Sequence, residues 1–488
     1  MGDLIKQEAA TTEPVGTVGK NGVSFAVEPI LSQSTQAWET LSKCLPSRDA
    51  DKDYWWNLTG RHMAAMVSAA GYSAEKQLEA LLYYYHWTVP YLGPSPVTNR
   101  GKSRWNSLLT VDGTPIEYSW KWNTATTKPD IRFTMEPMSR FTGTSLDPLN
   151  QLPSRELLYQ LEKVLDTVDL TWVNYFFSAF FDHDTAKYVK EKAAGAHLVS
   201  SVSLAFEFVP KGLSLKTYFA PRKLGQVGLW PLAEWGAAIR GLEPNNLGLD
   251  TLDQFLASTS EGKLLSPFML AVDNVAPAAS RMKLYFQTPH TSFRSVREIM
   301  TMGGLITGLD RQLADLRELI LAVTELPADF PEDAEMPAAD EKTYSPAAKD
   351  NFVDRPDLLS GYMYYFDIAP GARIPEIKFY TPTRRYGRDD QTLADGIVSW
   401  MEAKGRGGYG QAYLEMLEGL AEHRKLSDGQ GLQTYVSCLF KKNGELESRH
   451  TWRLRRTMRL SLVMARWPMV RPPRAAPELA LSLNPWID

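Results

Sequence analysis

Four stretches of the chain repeat one short pattern, and that repetition restricts the possible folds more than any other feature. IRFTMEP (131–137), LKTYFAP (215–221), MKLYFQTP (282–289) and IKFYTP (377–382) each place an apolar residue, a cation, any residue and then a Thr or Tyr hydroxyl, with a proline soon after. In an extended strand side chains alternate faces with period two. Arg132 therefore shares a face with Thr134, Lys216 with Tyr218, Lys283 with Tyr285 and Lys378 with Tyr380, and Arg281 joins the face of Lys283. Any one copy reads as the wet face of a half-exposed strand. Four separate surface strands have no physical reason to share that phase, whereas strands closed into one barrel bring those groups together.

Each copy follows a partner strand. TPIEYSWKW (114–122) precedes the first, SVSLAFEFV (201–209) the second through PKGLS, FMLAVDNV (268–275) the third through APAAS, and GYMYYFDIA (361–369) the fourth through PGARIP. A fifth pair starts at QTYVSCLF (433–440) and turns at KKNGE; Pro and Gly supply the backbone angles such turns need. Helical periodicity covers Gln33 to Gly71 as two helices, the second from near Asp53, and then 76–92, 155–180, 229–242, 293–326 and 393–425. The recurring order of helix and two strands predicts an α+β fold: a ten-stranded antiparallel β-barrel of five αββα units with the helices outside, which leaves no exposed edge. A length of 488 residues alone suggests about three domains, but the repetition argues for one closed unit. The expected organisation is a mobile N-terminal arm over 1–30, a single barrel domain over 31–440 and an atypical basic segment over 441–488. Residues 327–350 read as an acidic, Pro/Ala-rich surface linker.

A net charge of −4 gives no global attraction to nucleic acid or to an anionic membrane, so neither is expected as a partner. Two cysteines, Cys44 and Cys438, exclude a disulfide framework and a four-cysteine metal site. MGDLIKQEAATTEP lacks an apolar signal core, and no run reaches the roughly 18 apolar residues of a membrane span. A cytoplasmic protein is expected. Several familiar signatures are missing or false: there is no Asp-rich magnesium motif, and FDHD (181–184) is too short for one. GRGGYG (405–410) follows a helix rather than a strand, GKS (101–103) lacks the upstream glycine of a phosphate loop, and the seven histidines have no metal-ligand spacing. No metal site is expected.

What remains is a lumen with about five cations, several tyrosines and one carboxylate. Glu117 shares a strand face with Ser119 and Lys121, opposite to Ile116, Tyr118, Trp120 and Trp122. Taken alone that is a solvated face; if the strand lines the lumen opposite Arg132, Glu117 becomes a buried carboxylate able to accept a proton or hydrogen bond. Lys and Arg bind phosphate oxygens most strongly where water is excluded, and tyrosine faces stabilise a carbocation by about 0.5–2 kcal/mol each. The combination suits an allylic diphosphate that ionises beside an aromatic acceptor, the cations neutralising the leaving pyrophosphate.

WNSLLTVDGTPIEYSWKW, IRFTMEP, LKTYF, SRMKLYF, EIKFYTP and QTYVSC together resemble the fungal aromatic prenyltransferases of the dimethylallyltryptophan synthase family, over roughly residues 35–440. The resemblance implies the αββα barrel, dimethylallyl diphosphate as the donor, no obligatory metal or other cofactor, and Friedel-Crafts alkylation of an aromatic acceptor in secondary metabolism by a monomer or homodimer. Carried onto this sequence, it makes Glu117 the carboxylate that hydrogen-bonds the acceptor. It makes Arg132, Lys216, Arg281, Lys283 and Lys378 the diphosphate ligands, and Tyr218, Tyr285, Tyr380 and Tyr435 the tyrosine shield. Leu109 and Phe268 join Glu117 around the acceptor. Phe268 stands where tryptophan-prenylating relatives can carry an Arg for the amino-acid carboxylate, and SVSLAFEF lacks the lysine base that some relatives have there. Both departures point to a polyketide-derived phenol or a decorated indole as acceptor. A non-catalytic barrel binding an anionic or aromatic ligand is the alternative. After KKNGELE the family finishes with one short strand; ELALSLNP (478–485) is the expected match, which makes the basic stretch before it an insertion or translated noncoding sequence.

Overall fold

The computed structural model describes residues 35–452 apart from 97, 99–104, 106, 108, 111–112, 197, 210–211, 339–360, 423 and 442–443. Its strands are β1 Ile116–Lys121, β2 Asp130–Met135, β3 Val202–Val209, β4 Gly212–Phe219, β5 Ser266–Asp273, β6 Met282–Thr288, β7 Tyr362–Asp367, β8 Glu376–Thr381, β9 Gln433–Phe440 and β10 Leu446–Trp452. Each pairs antiparallel with its neighbours in sequence, and β1 pairs with β10, so the barrel closes. Alternation sorts the side chains. Ile116, Tyr118 and Trp120 of β1, Phe133 of β2, Phe206 of β3 and Phe366 of β7 all belong to one large apolar core shared with the helices. The opposite phase of each strand fills the lumen, where Ala205, Tyr218, Ala271, Tyr285 and Tyr365 form a second, separate cluster.

The helical stretches hold, with breaks that periodicity did not show. The stretch expected over 155–180 is two helices, Leu152–Val164 and Thr171–Phe180, and just before the second the Asp169 carboxylate accepts the Thr171 N–H at 2.8 Å. The stretch expected over 293–326 divides into Phe293–Met300 and Asp310–Thr324. Between them Met302, Gly303 and Gly304 take positive φ angles of 50, 68 and 92°, which a helix cannot continue through. Two further helices, Thr185–Ala193 and Leu247–Ser258, start at Asp184 and Asn246, whose side chains accept the N–H of Lys187 and Leu249. The second acidic residue of FDHD is thus a helix cap. The described start of the expected acidic linker is folded: Glu335 accepts the Thr291 hydroxyl at 2.6 Å, and Met336 is buried. No described helix is long and apolar enough to cross a membrane.

The tenth strand corrects the sequence reading. LESRHTW closes the barrel, so the barrel extends to Trp452 rather than ending at 440; the expected match ELALSLNP, like the arm over 1–30, lies outside the described residues. The stretch looks too polar for a barrel strand because both of its faces find specific partners. Outward, Trp452 and His450 pack on Tyr413 with ring centroids 5.7 and 6.0 Å apart. Inward, Glu447 meets Lys441 at 2.8 Å and Arg449 meets Glu207 at 2.7 Å.

Candidate active site

One cavity of about 420 Å³ opens into the lumen and extends past the rim toward Trp230 and Trp235. Glu117, Arg132, Tyr218, Tyr285, Tyr380 and Tyr435 all line it, as do Leu109 and Phe268. A register shift between Pro267 and Met269 in β5 sets Phe268 against the tyrosine cluster, with its ring centroid 6.3 Å from that of Tyr285. Tyr285 is the centre of this wall: the rings of Tyr218, Tyr365 and Tyr380 stand 6.0, 5.3 and 6.0 Å from it. Burial, with the neighbouring phenols adding to it, raises the pKa of Tyr285 well above the ordinary phenol value. The Tyr285 hydroxyl stays protonated and able to donate. Tyr365, which the sequence reading passed over, enters because YMYYFD places it and Asp367 in the same lumen phase.

The strand lysines lie one lumen position earlier along their strands. Lys216 precedes Tyr218 on β4, Lys283 precedes Tyr285 on β6, and Lys378 precedes Tyr380 on β8. Lys283 and Lys378 are 4 and 5% exposed, and Lys216, Arg281, Lys283 and Lys378, unlike Arg132, are not among the residues that line the cavity. The expectation of one lumen carboxylate is wrong, however. Lys283 pairs with Asp273 at 2.9 Å, Arg281 with Asp273 at 2.8 Å and with Asp367 at 3.1 Å, and Lys216 with Glu207 at 3.3 Å. These acids occupy the lumen phase of β3, β5 and β7, and the sequence offered no reason to weigh them because they stand outside the repeated pattern. Burial works against the Asp273 carboxylate, but Lys283, Lys216 and Arg281 outweigh it and hold its pKa below the usual value. Arg132 is differently placed: its Nη2 donates to the Tyr218 hydroxyl at 2.8 Å and to Thr134 Oγ1 at 3.3 Å.

Lys378 stands apart, its ammonium 5.4 Å from the centre of the Tyr380 ring. Burial and the positive charges of Arg449 and Arg132 hold its pKa well below the ordinary lysine value, against the opposing pull of Glu447 and Cys438. The folded protein gives up this proton at a pH where the unfolded chain keeps it, so stability rises with pH between the two values. A bound oxyanion favours the charged form and reverses the balance. Pyrophosphate binding is therefore expected to take up a proton and to weaken as pH rises through the resting Lys378 value. Calorimetry in two buffers of different ionisation enthalpy measures the uptake, and Lys378→Met should abolish it; heats independent of buffer in the unaltered protein would refute the assignment.

Among the described residues no group of His, Cys, Asp and Glu is arranged to hold a metal ion. The chemistry on offer is a set of buried cations, a wall of phenols one lumen position away, and a carboxylate on the cavity wall. Residues 51–416 match the family described as tryptophan dimethylallyltransferase. Prenyltransferase anuH of Penicillium roqueforti is 60% identical over 410 residues, covering 84% of this chain and 90% of that protein. Xanthone prenyltransferase B of Emericella nidulans is 47% identical over 422 residues, covering 85 and 90%. Among solved structures, AnaPT from Neosartorya fischeri superposes with a TM-score of 0.69 at 23% identity, covering 86% of this chain and 98% of that one. NotF in complex with brevianamide F and DMSPP gives 0.68 at 20% identity, with the same coverage.

Proposed function

Because the chain belongs to the tryptophan dimethylallyltransferase family of prenyltransferases, we propose that it moves the dimethylallyl group of dimethylallyl diphosphate onto a ring carbon of a polyketide-derived phenol. The observation that carries this reading is the stacking of two layers in one lumen: buried cations below and a tyrosine-walled, largely apolar cavity above. The likeness to proteins named xanthone prenyltransferases supports a phenolic acceptor. So does Phe268 in the cavity wall, which gives an amino-acid carboxylate nothing to pair with.

Arg132, Lys216, Arg281, Lys283 and Lys378 hold the diphosphate by charge-assisted hydrogen bonds. Phenols of the tyrosine wall donate to the same oxygens. The allylic C–O bond breaks with its electron pair leaving on pyrophosphate, and the faces of Tyr218, Tyr285 and Tyr380 cover the cation and exclude water. Glu117 accepts a hydrogen bond from the acceptor hydroxyl, which raises electron density in the ring. A ring carbon then forms the new C–C bond, and loss of its proton restores aromaticity. Preorganised charge of this kind does its work without solvent rearrangement. In this mechanism the lysines and arginines neutralise the leaving group, so no magnesium is required. The exposed Cys44 and buried Cys438, both free thiols, support a cytoplasmic setting.

The direct test incubates the protein with dimethylallyl diphosphate, a chelator and a panel of phenols and indoles. Pyrophosphate release and a phenolic product heavier by one prenyl unit are expected. Turnover of indoles alone would overturn the acceptor, loss of turnover with chelator would overturn the metal-free mechanism, and binding without turnover would overturn the activity.

A further inference from the structure

Arg449 lies outside the repeated pattern, yet its position in the lumen demands a partner that the protein does not supply. It is 8% exposed and lines the cavity with Arg132 and Tyr380. Its Nη2 donates to Glu207 at 2.7 Å, while its Nε and Nη1 are buried without a hydrogen-bond partner. Leaving such a donor unsatisfied costs about 1–3 kcal/mol, and more for a charged group. Glu207 cannot neutralise it alone, because Lys216 claims the other carboxylate oxygen at 3.3 Å. Burial would raise the pKa of Glu207, but Arg449, Lys216, Arg132 and Lys121 together hold it well below the usual value, so one negative charge is shared by several cations. Lys283 and Arg281, by contrast, already have Asp273 and Asp367. Arg132, whose Nη2 meets only hydroxyls, and Arg449, which shares Glu207 with Lys216, are thus the lumen guanidiniums with donor groups left over.

We propose that Arg449 is a donor-binding residue of this protein, its Nε–H and Nη1–H reaching the oxygens of the prenyl diphosphate on the β10 side of the lumen. The strand that closes the barrel then also supplies a ligand, and closure and donor binding depend on the same seven residues, Leu446–Trp452. The inference rests on the reading that the diphosphate occupies the lumen.

The competing role for Arg449 is structural, as counter-charge to Glu207, and a double-mutant cycle separates the two. Calorimetry with inorganic pyrophosphate and steady-state kinetics with dimethylallyl diphosphate are run on the unaltered protein, Arg449→Gln, Glu207→Gln and the double variant, each checked for an unchanged thermal transition. Lys216 loses its Glu207 partner in Glu207→Gln and in the double variant alike, so the comparison between those two isolates Arg449. If Arg449 contacts the donor, Arg449→Gln lowers pyrophosphate affinity at least tenfold in the Glu207→Gln background and raises KM for the donor but not for the acceptor. Equal pyrophosphate affinity of Glu207→Gln and the double variant would overturn the assignment. Absence of pyrophosphate binding by the unaltered protein would instead overturn the lumen as the diphosphate site.

Discussion

Glu117→Gln is expected to lower kcat by about 10²–10³-fold, within the range for removal of a positioned acid–base group. Affinity for pyrophosphate should stay within about twofold, because in the proposed mechanism Glu117 meets the acceptor while the cations hold the diphosphate. Glu117 lines the cavity on β1 opposite Thr134, and the cations Lys216, Lys283 and Lys378 sit in the layer beyond the tyrosines. Glutamine preserves shape and one acceptor oxygen but removes the negative charge, and hydrogen bonds to an ionised acceptor are roughly twice as strong as neutral ones. The ring of a bound phenol is then less nucleophilic while the donor is held as before. Rapid-quench turnover and pyrophosphate calorimetry on the same preparation check both halves. A fully active variant would remove Glu117 from the mechanism, and equal losses in both measurements would make it a structural residue.

His450→Pro should abolish activity together with the fold. His450 is fully buried on β10, its Cα opposite Trp120 on β1 and Val436 on β9, so its backbone belongs to a strand paired on both sides. Proline removes a ladder hydrogen bond there, and within a sheet it is tolerated essentially only on edge strands or at bulges. The substitution also deletes an imidazole packed between Tyr413 and Trp452. Loss of the cooperative thermal transition, read by circular dichroism, is the expected result. The same change at Leu481, in the segment that the sequence analysis assigned to barrel closure, is the control: a lost transition there with a normal one for His450→Pro would overturn the assignment of β10.

Much of the lumen is legible in the sequence alone. The repeat puts Arg132, Lys216, Lys283 and Lys378 in the phase of Thr134 and three tyrosines, and period-two alternation is a local property of extended chain. The helix breaks at Asp169 and at Met302–Gly304 were less legible, since apolar periodicity runs on across both, and the second needs positive φ angles that Met302 gives no hint of.

Local pattern by itself determined the strands that carry the repeated cations, the face each cation takes and the phenols beside them. Only the closed barrel decided which charges meet. Asp273 reaches Lys283 across the β5–β6 hairpin, Asp367 reaches Arg281 from β7, and Glu207 on β3 meets Arg449 on β10 over 242 residues of sequence. Alternation fixes direction along one strand, but shear and closure bring non-neighbouring strands together, and they depend on every pair at once. LESRHTW is the plainest case: its sequence looks like a solvated basic stretch, and it becomes a barrel strand because Trp120, Tyr413 and Glu207 wait on either side of it.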